Sequence, residues 1–229
     1  MQKRLVRKLD LEKALSEIDH HPTPEAYLEQ YTIPSDVAAE ILFIAAYTYD
    51  DIIDKTVVDL GCGTGRLAIG AALLGAREAI GLDIDKVAVT IAQKNAEKMG
   101  VRAKTHWILA DIDVIHGFFY AVLQNPPFGV QRRQADRKFI KKSLELGHRI
   151  YSLHKSGERN QEFIKRLSGR GTRFKSAQPS PFLKRFIEKH GGKIEAVYPM
   201  LMTIPHMFEF HRKRKHRFVA DLYVIEGRS

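Results

Sequence analysis

The residues able to do chemistry fall in two stretches and at two isolated acids. The first stretch is Asp59-Leu-Gly-Cys-Gly-Thr-Gly65. Its alternating glycines let backbone approach a ligand closely and take angles closed to other residues. A dinucleotide fingerprint, G-x-G-x-x-G, needs a glycine where Arg66 stands, and the lysine of a Walker loop is absent. No pyrophosphate is expected against this loop. Asp59 would repel a phosphate but suits an ammonium group. Asp83, 24 residues on, is placed to accept hydrogen bonds from both hydroxyls of a ribose, and Asp111 from an exocyclic amine. Ile84 and Ile112 follow these acids and are placed to sandwich a base. The second stretch, AVLQNPPFGV at 121–130, breaks an apolar run with two prolines. The Asn125 side-chain carbonyl and the Pro126 backbone carbonyl form an acceptor pair for the two hydrogens of a planar amine. Pro126 and Pro127 fix their own φ angles and bring no competing N–H. Phe128 offers a face for stacking.

These residues need elements to hold them. Strands are expected at Thr56–Leu60, Ala79–Leu82, Thr105–Leu109, Phe119–Leu123 and Arg149–Leu153, with helices at Leu67–Leu74, Lys86–Lys98 and Phe139–Leu146. That alternation predicts right-handed crossovers and a parallel sheet covered on both faces. Ligands in such sheets collect at the carboxyl ends of strands, where Gly61–Gly65, Asp83, Asp111 and Asn125–Phe128 all fall. Upstream, residues 4–19 read as one helix and Val37–Tyr49 as another, capped by Ser35 or Asp36. Downstream, Ser156–Ser180 is rich in Gly, Ser, Arg and Lys. A helix at Phe182–His190 and strands at Lys193–Leu201 and Phe218–Ile225 follow.

An ammonium, a ribose and an adenine together describe S-adenosylmethionine. At this point the chain resembles the class I methyltransferases, whose cofactor loop is an acid followed by GxGxG. In that class [N/D/S]-P-P-[Y/F/W] goes with methylation of a planar nitrogen, and Asn125, Pro126, Pro127 and Phe128 match all four positions. The resemblance implies an α/β, Rossmann-like fold: a mostly parallel seven-stranded sheet, helices on both faces and a C-terminal antiparallel hairpin. It implies no metal.

Charge is segregated. Residues 1–130 hold 13 Lys+Arg against 18 Asp+Glu, and residues 131–229 hold 24 against 9. A basic half after NPPF suits a polyanion, with a solvated basic face as the alternative. Arg132, Arg133, Phe210, His211, Arg212, Lys213, Arg214 and Lys215 are the candidate RNA contacts, and Phe208 and Phe210 suit core packing equally. The single Cys62 excludes an internal disulfide and a cysteine-rich zinc site. Histidines show no metal-ligand spacing; His20-His21 and His211/His216 read as solvated or phosphate-facing. No apolar run approaches the roughly 20 residues of a membrane span. The charged N-terminus lacks the apolar core of a secretory signal. A cytoplasmic protein with no membrane association is expected.

The resemblance extends further. Leu28-Glu-Gln-Tyr31 with Pro34, Tyr49-Asp-Asp-Ile52, NPPFG, Tyr151-Ser-Leu-His154 and Phe210-His-Arg-Lys213 run in the order found in the methyltransferase-like protein 5 family, and the chain looks like an archaeal-type member. This resemblance implies transfer of a methyl group to the exocyclic amine of one adenosine in small-subunit ribosomal RNA. It implies one methyltransferase domain over 1–229. Helices in 1–50 close over the cofactor, 51–154 form the cofactor-binding core, and 155–229 supply a basic linker and strands. By analogy Gln30 and a nearby threonine cover the methionine end. Aligned without gaps the family's threonine falls at Ile33, with Thr32 beside it. Eukaryotic members pair an edge strand with a small zinc-binding activator; here Thr105–Leu109, with Trp107, Ile108 and Leu109 as an exposed apolar rim, is that edge. Other readings of the same scaffold are protein-glutamine methylation, methylation of guanine or DNA adenine, and a catalytically dead RNA-binding module.

Overall fold

The computed structural model describes residues 7–25, 27, 29–30, 32–128, 135–157, 177–205 and 215–227. Five parallel strands and an antiparallel pair make one sheet. The strands are β1 (Thr56–Leu60), β2 (Glu78–Asp83), β3 (Thr105–Leu109), β4 (Phe119–Gln124), β5 (Gly147–Lys155), β6 (Lys193–Pro205) and β7 (Lys215–Glu226). Their order is β3-β2-β1-β4-β5-β7-β6, with β7 antiparallel to both β5 and β6. β1 is flanked by β2 and β4, so the strand order reverses there and opens a crevice at the carboxyl ends of β1 and β4.

Alternate residues of these strands feed two apolar layers. Val57, Leu123, Tyr151 and Leu222 join one layer with Leu11 and Leu15 of α1 (Lys8–Ser16), Ile41 and Leu42 of α2 (Ser35–Phe43), and Leu67 and Ile69 of α3 (Arg66–Leu73). Their neighbours Val58, Val122, Ile150 and Tyr223 join the other layer. Ile140 and Leu144 of α5 (Ala135–Leu146) and Leu183 and Ile187 of α6 (Pro181–Lys189) cover it. The fourth helix in chain order, α4 (Lys86–Lys98), sends Ala96 to the first layer. A strand buried on both faces reads as a continuous apolar run, which is why β1 and β4 are legible in the sequence.

The sequence-predicted elements hold with shifted ends. The Val37–Tyr49 helix divides: α2 ends at Phe43 and a π-turn covers Ile44–Thr48. Its N-cap is Pro34, in extended geometry, so Ser35 and Asp36 already lie in the first turn and neither side chain caps. The described part of the first helix begins at Lys8 and ends at Ser16, three residues short of the expected end. Of the basic connection, residues 158–176 lie outside the described residues.

Two of the quoted motifs meet at the amino end of β5. Asp51 of the YDDI stretch is buried and accepts from Tyr151 Oη at 2.6 Å and Arg149 Nε at 3.0 Å. Burial pushes its carboxyl upward, and the Tyr151 and Arg149 contacts oppose that rise. This cluster ties the β1 approach to β5, at the end of the sheet away from the crevice.

Candidate active site

The glycine loop turns away from β1 on hydrogen bonds from the amides of Gly61 and Cys62 to the Leu82 carbonyl, at 2.8 and 3.0 Å. Gly61, Gly63 and Gly65 all have positive φ, at 68°, 54° and 89°. The two outer glycines are also close-packed: a Cβ on Gly61 would meet Phe139 at 3.1 Å, and one on Gly65 would meet Trp107 at 2.5 Å. At Gly63 a Cβ would meet nothing within 4 Å, so the middle of the loop faces open space. That space is a cavity of about 430 Å³, within the range of small-molecule sites.

The sequence-predicted cofactor residues line this one cavity: Gln30, Thr32, Asp59, Gly61, Gly63, Asp83, Ile84, Asp111, Ile112 and Asn125. Gly65 does not line it and instead is the N-cap of α3. Thr32 and Ile33 both reach the wall, so the threonine contact expected from the family is available at Thr32. Asp59 is 1% exposed and accepts from the Ala68 amide at 3.0 Å. Burial drives its pKa up to about 7, the Ala68 bond lowers it, and Asp83 adds repulsion. Asp83 accepts from the amides of Gly63 at 2.7 Å and Asp85 at 2.9 Å. Its pKa is raised, chiefly by burial and against those two bonds. Asp111 accepts from Asp113 N–H at 2.9 Å and from Lys138 Nζ at 2.6 Å. Three carboxylates around a glycine loop are hostile to a pyrophosphate and suited to a cationic, hydroxyl- and amine-bearing ligand.

Spacing did not reveal three residues of the wall, His21, Glu29 and Arg66, or the Asp85 and Asn95 side chains that brace the segments around it. His21, read as solvated or phosphate-facing, is a correction: its side chain is buried 2.9 Å from the Asp85 carboxylate and it lines the cavity. Asp85 caps α4 through the amides of Val87 and Ala88, and it also accepts from Gln30 Nε2 at 2.6 Å. Glu29, beside Gln30, is buried with φ at 51°, a conformation rare outside glycine. Arg66 is buried and donates to the Ile33 carbonyl; burial lowers its pKa to about 10, against the pull of Asp36. Asn95 donates to the Thr64 and Asp19 carbonyls at 3.0 and 3.1 Å, fastening the glycine loop to the segment that follows α1. None of these long-range bonds has a local sequence signal.

At the β4 corner Asn125 and Pro127 line the cavity; Pro126, between them in sequence, is buried and does not line it. Phe128 is not in the wall: its half-buried ring packs edge-on to Phe218 of β7, centroids 5.8 Å apart. Arg132, Arg133, Phe208, Phe210, His211, Arg212, Lys213 and Arg214 lie outside the described residues, and Lys215 opens β7.

A family model described as ribosomal protein L11 methyltransferase (PrmA) matches residues 42–122, the loop and acid half of the cavity. Over nearly the whole chain the similarity lies elsewhere. Protein MJ0284 of Methanocaldococcus jannaschii is 37% identical, covering 97% of this chain and 95% of that protein. The Drosophila melanogaster rRNA N(6)-adenosine-methyltransferase Mettl5 is 35% identical, covering 94% of each. The chain belongs to the METTL5 family. Among solved structures, PH1948 from Pyrococcus horikoshii superposes with a TM-score of 0.80 at 34% identity, covering 97% of this chain and 98% of that one. The class I fold with its C-terminal antiparallel hairpin is therefore the METTL5 fold.

One expectation about the edge needs correcting. β3 is at the edge of the sheet, but Trp107 is not part of an exposed rim. Its ring turns inward over Gly65 and Gly81, where a Cβ on Gly81 would lie 2.4 Å from it. Ile108 and Leu109, 37% and 50% exposed, are what β3 presents. No helix among the described residues is long and apolar enough to cross a membrane.

Proposed function

We propose that this chain transfers the methyl group of S-adenosylmethionine to the exocyclic amine of an adenosine in RNA, with small-subunit ribosomal RNA as the substrate. The observation carrying this reading is that Asn125 and Pro127 share one cavity wall with Asp59, Asp83 and Asp111. Amine acceptors thus face the residues that suit the methyl donor.

S-adenosylmethionine, when bound, supplies an electrophilic methyl group. Asp59 meets its ammonium group, Asp83 its ribose hydroxyls and Asp111 its adenine amine, with Ile84 and Ile112 against the base. Gln30 and Thr32 cover the methionine end. An adenine amine is a weak nucleophile because its lone pair is delocalised into the ring. Asn125 and the Pro126 carbonyl accept its two hydrogens, favour a pyramidal nitrogen and stabilise the positive charge that grows there. Holding that nitrogen in line supplies much of the remaining rate. Phe128 is the stacking face for the target base, braced by Phe218, and the basic half of the chain engages phosphates.

The test is incubation with labelled S-adenosylmethionine and separated RNA, DNA and protein. Label in RNA, at N(6) of adenosine, is expected. Label confined to protein would move the reading to glutamine methylation, and label in DNA to DNA adenine. Asn125→Ala should lose transfer while keeping cofactor affinity.

The β3 edge, with Ile108 and Leu109 half-exposed, suits strand addition by a small activator protein of the zinc-binding kind. A purified chain that stays monodisperse and fully active alone would argue against such a partner.

A further inference from the structure

In the apolar layer between the sheet and α5 and α6, three polar side chains stand in a row. Gln124 is the last residue of β4, paired in register with Leu60 of β1 and Ser152 of β5. Its Nε2 donates to Ser152 Oγ at 2.8 Å. Ser152 Oγ lies 2.6 Å from His154 Nε2, two residues further along the same face of β5. Gln124, Ser152 and His154 are 1%, 0% and 3% exposed. Val122, Ile150 and Tyr223 surround them in that layer, and the Tyr223 ring meets the His154 imidazole edge-on at 5.5 Å.

Burying three polar groups among apolar ones is unfavourable unless each bond is made, and apolar residues of similar size would pack there without that requirement. What distinguishes the position is its neighbour: Gln124 is bonded directly to Asn125. We propose that Gln124, Ser152 and His154 form a buried positioning relay that fixes the orientation of the β4 corner, and so of Asn125, for methyl transfer. The amide nitrogen of Gln124 can only donate, so Ser152 Oγ accepts from it. In the relay the Ser152 hydroxyl in turn donates to His154 Nε2, which requires a neutral imidazole with its hydrogen on Nδ1. Burial agrees, lowering the His154 pKa to about 4. The Gln124 Oε1 is buried and has no hydrogen-bond partner among the described residues, so its amide plane is set by the Ser152 bond. None of the three lines the cavity; in this relay they act through Asn125.

This inference rests on the proposed function, and its test separates the two. Ser152→Ala should lower kcat about tenfold, the size expected when a reacting group is held less well. Affinity for S-adenosylhomocysteine should stay within about twofold, because the acid side of the cavity is untouched. Ser152→Thr keeps the hydroxyl and should restore most of the rate. Assays run well below the melting temperature of each variant remove simple unfolding from the comparison. Nitrogen-15 spectra of the free protein should show His154 as the neutral Nδ1–H tautomer at pH 6–8, with its Nε2 resonance moving in Ser152→Ala. An unchanged kcat in Ser152→Ala, a Ser152→Thr as slow as the alanine variant, or an Nε2–H tautomer would each overturn the relay. A wild-type chain that methylates no RNA would instead overturn the proposed function, and the tautomer measurement would still judge the relay.

Discussion

Gln30 and Asp85 are 55 positions apart in sequence, yet the glutamine amide donates to the carboxylate at 2.6 Å. The other end of the same side chain accepts from the Glu25 amide at 2.7 Å. One residue therefore pins the segment between the first two helices to the cap of α4, across the mouth of the cavity. A hydrogen bond to a charged group contributes about 1.5–3 kcal/mol, and partial exposure places this one at the lower end. Gln30→Ala should weaken S-adenosylhomocysteine binding about tenfold by calorimetry. Gln30→Glu should weaken it further, since two carboxylates would then face each other. Equal affinity in all three proteins would mean that the segment is held elsewhere.

Asp59 predicts a pH dependence of cofactor binding. Its pKa is raised to about 7, first by burial, so the free protein holds it mostly protonated at lower pH. A ligand ammonium favours the ionised form, and binding therefore releases a proton below that value. Affinity should climb with pH up to about 7 and fall again above about 8, where an α-amino group of the ligand loses its charge. Asp59→Asn should flatten the rising limb, as should a cofactor analogue lacking the amine. A rising limb that persists in Asp59→Asn would assign it to another group.

The parts of this site that could be read from the sequence are those where one short segment carries the whole signal. β1, β2, β3 and β4 are apolar runs that stop at a glycine, an acid or NPPF, and each stop falls on the crevice. What escaped depends on contacts between distant segments. His21 looks like a surface histidine until Asp85 is seen beside it. Arg66 looks like a missing glycine until its guanidinium is found under Ile33. Trp107 misled for a physical reason: an edge strand was expected to expose its largest residue, but the neighbouring glycines Gly65 and Gly81 leave a slot that only inward packing fills. The contact that braces Phe128, edge-on to Phe218 of β7, depends on hairpin geometry that no local pattern encodes.

Arg66 separates affinity from stability. A buried guanidinium carries a desolvation cost that its bond to Ile33 and the field of Asp36 only partly offset. Arg66→Met keeps the volume and removes that cost, so the melting temperature should stay level or rise. Releasing Ile33 frees the wall segment that carries Thr32, and cofactor affinity should drop about tenfold. A variant that is both unstable and tight-binding would reverse this assignment.

Gly81 tests the slot under Trp107. An added Cβ would lie 2.4 and 2.5 Å from the indole and 3.0 Å from Cys62 Sγ. Gly81 is mid-strand in β2, in register with Asp59 and Trp107, so the backbone has little freedom to retreat. Overpacking of this kind costs about 1–3 kcal/mol. Gly81→Ala should lower stability by that amount, and the single tryptophan reports the change directly through its fluorescence. Trp107→Leu alone removes ring area and should also destabilise. Together the two changes should cost less than their sum, because the smaller side chain makes room for the methyl group. Strict additivity in denaturant titrations would show that the ring and Gly81 are not in the contact described.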